Sequence, residues 1–113
     1  MAGVSVCSYT LLEIAAEKLR CVLQRLQCRD LFDLYRLLGG AVVSPADAAS
    51  LFRRKAEHRG IDPEQFAPKY RDRVCQYERR WVDELREHVR GELPHFDDVE
   101  RRVARRLRHG GLL

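Results

Sequence analysis

The sequence predicts an all-α protein, a bundle of five or six helices with one short strand at its front. Three observations carry that expectation: apolar residues recur at helical spacing in most segments, cap and stop signals punctuate them, and only Val4 to Tyr9 alternates like a strand. In order along the chain, VSVCSY (4–9) mixes apolar and small polar residues and is rich in β-branched types. A lone strand leaves its backbone groups unpaired, so either this segment is irregular or its partner strands lie on another chain. Thr10 with Glu13 three residues later forms a capping-box pattern that opens the first helix. Leu12, Ala15, Ala16, Leu19, Leu23 and Leu26 mark its buried stripe.

A second helix spans Asp30 to Leu38 and stops at Gly39–Gly40. Ser44 followed by Pro45 starts a third, running to about Arg59 with Gly60 beyond it. Asp62–Pro63 repeats the start signal for a short turn. A long helix then runs from Pro68 to roughly Arg90, with Val74, Tyr77, Trp81, Leu85 and Val89 on its apolar side, until Pro94 breaks it. The last helix, Phe96 to Arg108, places Val99, Val103 and Leu107 on one side and five arginines elsewhere. No repeat of solenoid period is present.

Composition narrows the class. With 113 residues, 45% apolar and 34% charged, the chain has the size of one domain with a true core, and the low-complexity, collagen-like and disordered classes are excluded. No apolar run is long enough for a membrane helix, and no signal segment opens the chain. The four cysteines form no CxxC pair, which suits a reducing cytoplasm. Acids and bases balance through Ser50, so the whole net charge of +4 lies in the second part of the chain. An excess of this kind favours polyanionic partners without identifying one.

Two clusters carry candidate chemistry. Lys18 has Ile14, Ala15, Cys21 and Val22 as helical neighbours, none of them charged. Its ammonium must therefore either reach water or meet an anion such as a phosphate. Glu17, beside Glu13 and Arg20, reads as a solvated-face residue. The string Arg29-Asp30-Leu31-Phe32-Asp33-Leu34 puts Asp30 and Asp33 on one helix face. In the plain reading Asp30 caps the helix and Asp33 pairs with Arg29 and Arg36; in the sharper one a carboxylate acts as base or orienter beside the anion on Lys18. Arg101, Arg102, Arg105 and Arg106 share a broad face that could follow a nucleic-acid backbone. The histidines and cysteines show no metal-ligand spacing, and no Walker loop or nucleophile elbow is present.

The segment Tyr9 to Leu38 resembles the AbiEii-type nucleotidyltransferase toxins of bacterial type IV toxin–antitoxin systems, through Ala16-Glu17-Lys18-Leu19 followed by Arg29-Asp30-x-x-Asp33-Leu34. Trp81, the Leu93-Pro94-His95-Phe96-Asp97 turn and the closing helix are similar to the C-terminal end of that family. The resemblance implies transfer of a nucleoside monophosphate from an NTP to an acceptor, often a tRNA end. It makes Lys18 and Asp30 the catalytic pair, with Lys18 and Arg29 on the nucleotide phosphates and Asp30 assisting the acceptor. Asp33 and Glu17 are then orienting or structural, and Arg101, Arg102, Arg105 and Arg106 remain the nucleic-acid-binding candidates read from their helix face.

The same resemblance exposes a gap. The family's first half carries a Gly-Ser turn and alternating strand acids that hold Mg²⁺, and neither is found here. The chain is therefore expected to be the C-terminal half: residues 1–9 a strand remnant of the missing polymerase-β-like domain, residues 10–113 the helical domain. Mg²⁺ and NTP are expected only where a missing domain completes the site, with no metal or cofactor held by this chain alone. The implied partners are a separately encoded catalytic half or an antitoxin protein, and tRNA or another RNA. A second reading makes the chain a non-catalytic basic module for RNA or an acidic protein.

Overall fold

The computed structural model describes the backbone of residues 2–40 and 42–113 and the side chains of residues 10–40 and 42–113. Five helices account for the described residues: α1 (Ala2–Gln24), α2 (Cys28–Leu38), α3 (Pro45–His58), α4 (Phe66–Leu85) and α5 (Phe96–His109), with a 3₁₀ turn (Pro63–Gln65) leading into α4. The all-α expectation holds. The strand at Val4 to Tyr9 does not: that stretch is the beginning of α1, and no described residue is in a sheet. A helix pairs its own backbone groups, whereas a lone strand cannot, and this outweighs the modest β preference of valine. Thr10 consequently lies inside α1 and caps nothing.

Elsewhere the punctuation acts as read. The Ser44 hydroxyl accepts from the Asp47 backbone N–H, with Pro45 in the first turn of α3. The Asp62 carboxylate accepts from the Glu64 N–H ahead of Pro63, and Gly60 takes φ +72°, a left-handed conformation that glycine adopts without strain. The long helix stops at Leu85 rather than near Arg90. From Arg86 to Glu92 only Val89 is an aliphatic side chain, so the segment has no apolar face to hold a further turn of helix against the core.

α1 packs against α3 and α2, and α2 in turn lies against α4 and α5, so α2 is enclosed by the rest of the bundle. Its inner residues Leu31 and Leu34 are fully buried beside Leu19, Val22, Phe52, Phe66, Tyr77 and Leu85. Each such side chain contributes roughly 1.5–3 kcal/mol relative to exposure. Trp81 stands edge-on to Phe32 of α2 and Phe96 of α5, at centroid distances of 6.1 and 5.5 Å, and its indole N–H donates to the Pro94 carbonyl at 2.9 Å. Among the described residues, no helix is long and apolar enough to cross a membrane.

Candidate functional site

The site is built where α1 ends and α2 begins. Three residues, 25–27, join the two helices, and tethers from α4 fix both ends of that link. Arg73 donates through Nη1 to the carbonyls of Val22 and Arg25, capping the C-terminus of α1. The Glu84 carboxylate accepts the Cys28 N–H at 3.0 Å, an anion at the start of α2 where Gln27 supplies no side-chain cap. Cys28 is buried beneath this contact and its thiol donates to the Tyr77 carbonyl at 3.4 Å. Burial, reinforced by Glu84, pushes that thiol up to about 12.

In the first turn of α2, Asp30 is the only charged residue with no exposed surface among the described residues. Arg25 meets it with a two-point grip, Nε to Oδ2 and Nη2 to Oδ1, both at 3.0 Å. Lys18 comes down from α1, with Nζ 3.5 Å from Asp30 Oδ1 and 2.8 Å from Asp33 Oδ2. A buried carboxylate is tolerated only when paired in this way. Burial lowers the Lys18 pKa, but the hydrogen bonds and charges of Asp33 and Asp30 outweigh it and leave the group above its ordinary 10.5. The network runs from a closed interior to an open lip: Asp30 is 0%, Lys18 19% and Asp33 35% exposed. Asp33 also borders a groove lined by Leu11, Ile14, Arg36, Leu37 and Val43, with Ile14 half-exposed.

Beneath the network, the Tyr77 hydroxyl is buried and has no hydrogen-bond partner among the described residues. Burial raises its pKa, partly offset by Arg73 and reinforced by Asp30.

Of the residues singled out in the sequence, Lys18, Asp30 and Asp33 come together. The anion that Lys18 meets is supplied by α2 of its own chain. Asp30, placed by the resemblance toward an acceptor, is enclosed and paired on both oxygens; the carboxylate reaching solvent is Asp33. Arg29 points elsewhere, into a surface cleft with Arg80, Asp83, Glu87 and His88, because successive helical positions diverge by about 100°. Glu17 belongs to a separate network tying α1 to α3, with Arg20 at 3.0 Å, Lys55 at 3.8 Å and Arg59 at 3.6 Å. Arg101, Arg102 and Arg105 are exposed on α5 and Arg106 is half-buried, far along the chain from the Lys18 cluster. Arg25 is the site residue that sequence reasoning misses. Its signal is faint: a lone cation in a short link, five residues before a carboxylate, outside any helical spacing rule.

The donor set does not fit Mg²⁺. Asp30 and Asp33 are already neutralised by Arg25 and Lys18, and among the described residues no three His, Cys, Asp or Glu side chains stand close enough to hold a metal ion. Cationic side chains occupy the positions where a divalent ion would need free carboxylates.

The first two helices of this helical bundle are thus joined by a lysine–arginine–aspartate network, without a metal cradle among its described residues. Comparison with known families gives it a place. The model of the nucleotidyl transferase AbiEii toxin family, type IV toxin–antitoxin system, matches residues 1–104, and the chain belongs to that family. No curated protein and no solved structure matches the chain.

Proposed function

We propose that this chain is the helical part of a type IV nucleotidyltransferase toxin. In this reading it binds the phosphates of an NTP through Lys18 and acts with a separate metal-binding part, in the cytoplasm. The observation that supports the reading is the Lys18 ammonium held at a partly open lip by the two aspartates of the Arg-Asp-x-x-Asp string. An ammonium has three N–H donors, and the two aspartates take two directions. The remaining donor is available to a phosphate oxygen arriving from solvent.

Asp33, partly exposed, faces the incoming nucleotide, while Asp30 contributes by holding Lys18 and Arg25 in register rather than by touching the acceptor. Phosphoryl transfer requires divalent charge neutralisation beside the transferred group. The metal is accordingly assigned to another polypeptide or segment, with Mg²⁺ and NTP meeting this chain only in the completed enzyme. The exposed arginines of α5 give acceptor RNA a surface, and a cognate antitoxin is the protein partner implied by the family.

ATP binding to the 113-residue chain, followed by calorimetry, tests the reading. Lys18→Met weakens binding about tenfold or more, as loss of a charge-assisted contact predicts. Equal affinity in the variant rejects Lys18 as the phosphate ligand. With Mg²⁺, NTP and tRNA the isolated chain transfers no nucleotide; robust transfer would refute the assignment of the metal site elsewhere.

A further inference from the structure

Two cations converge on one enclosed carboxylate, and they do not share it equally. Arg25 takes both oxygens of Asp30 at 3.0 Å, whereas Lys18 stands 3.5 Å from Oδ1 and makes its short contact, 2.8 Å, with Asp33 at the lip. The link that carries Arg25 is itself anchored, since Arg73 of α4 donates to the Arg25 carbonyl at 3.1 Å. Arg25 is half-exposed, and its guanidinium reaches inward from the surface onto Asp30.

Removing that grip leaves Lys18 as the remaining cation paired with Asp30 among the described residues, at a site enclosed in the intact chain. The cost of an unpaired buried carboxylate is large compared with a partly exposed ion pair. Loss of Arg25 is expected to draw the ammonium inward, toward Asp30 and away from Asp33 at the lip.

We propose that Arg25 is a positioning residue: by occupying both oxygens of Asp30 it keeps the Lys18 ammonium outward on Asp33, where an anion from solvent can reach it. The functional half of this claim rests on the reading of Lys18 as a phosphate ligand; the geometric half does not. The groups facing Lys18 are Asp30 and Asp33 from α2, with Arg25 beyond Asp30 and apolar residues on α1 itself.

The test is competitive acetylation of the full chain with acetic anhydride, read by mass spectrometry, with exposed Lys69 as internal reference, alongside ATP binding. In Arg25→Gln, Lys18 labelling slows about tenfold relative to Lys69, as tighter pairing with Asp30 lowers its free-amine fraction. ATP affinity falls by a similar factor. Arg25→Lys, which supplies charge without the two-point grip, lies between. A merely structural tie would loosen when cut, so unchanged or faster Lys18 labelling in a folded Arg25→Gln chain overturns the proposal. Should Arg25→Gln fail to fold, Arg25→Lys decides, and labelling indistinguishable from the parent overturns it. Absence of ATP binding by the parent chain removes the phosphate reading, while the labelling still decides where Arg25 holds the ammonium.

Discussion

Two cationic regions of this molecule use similar side chains under opposite conditions. At the α1–α2 corner, Lys18 and Arg25 converge on a carboxylate with no exposed surface. On α5, Arg101, Arg102 and Arg105 are exposed, and an ion pair there, Arg101 to Asp98 at 3.8 Å, is exposed on both sides. In the first region each cation is paired with an enclosed carboxylate, so its loss is expected to disturb the fold; in the second the side chains are solvated, so their loss is expected to leave the fold nearly unchanged. Position inside the bundle, more than residue type, decides which kind of work a cation does.

The sharpest way to break this contrast is to remove both cations at the corner. Lys18→Met combined with Arg25→Met leaves the Asp30 carboxylate buried and unpaired, and about 3–5 kcal/mol of stability is lost. Urea unfolding followed by circular dichroism measures it, and a loss under about 1 kcal/mol would place the corner in the same class as α5. Alkaline pH acts on the same region. The folded pKa of Lys18 lies above 10.5, so its stabilisation is whole below 10.5 and disappears as pH rises through the folded value. Cys28 works in the same direction: unfolded it ionises near 9.0 and folded only near 12, so stability falls as pH climbs from 9.0. Thermal melting temperatures should decline steadily above pH 9, and a flat profile to pH 11 would contradict both assignments.

A smaller effect sharpens the comparison from within the core. Tyr77→Phe removes a buried hydroxyl that lacks a partner among the described residues, and stability rises by about 1 kcal/mol. A loss instead would mean that the hydroxyl serves the Asp30 network. The smallest change in stability belongs to α5. Neutralising Arg101, Arg102, Arg105 and Arg106 to glutamine shifts unfolding by no more than about 0.5 kcal/mol. The same variant flattens the salt dependence of RNA binding, by about one in the log–log slope for each phosphate that an arginine no longer neutralises. Unaltered RNA affinity across salt concentrations would remove the RNA role from this face.

Much of the fold was legible because capping and stop chemistry is local. Ser44–Pro45 and Asp62–Pro63 each act within a few residues of where they are written. The strand reading of Val4 to Tyr9 failed for the complementary reason: alternation records side-chain preference, whereas the backbone's demand for partners was met by continuing α1. The end of α4 depended on whether the Arg86–Glu92 stretch had a core to lie on, which is a property of the whole bundle. Within the site, the apolar neighbours of Lys18 left two outcomes open, water or an anion, and the i,i+3 spacing of Asp30 and Asp33 put both carboxylates on one face. Spacing alone did not reveal that this face would meet Lys18. Nor did it show that Arg25, outside any periodic element, would claim both oxygens of Asp30, because that geometry depends on Arg73 and Glu84 of α4 pinning the link.

Trp81 touches rings from α2 and α5 while its own backbone belongs to α4. As the chain's single tryptophan, it makes the protein a natural fluorescence probe whose emission reports on three helices at once. Docking of a partner that parts α5 from α2 would redden that emission without any label, and one that seats only at the Lys18 lip would leave it unchanged.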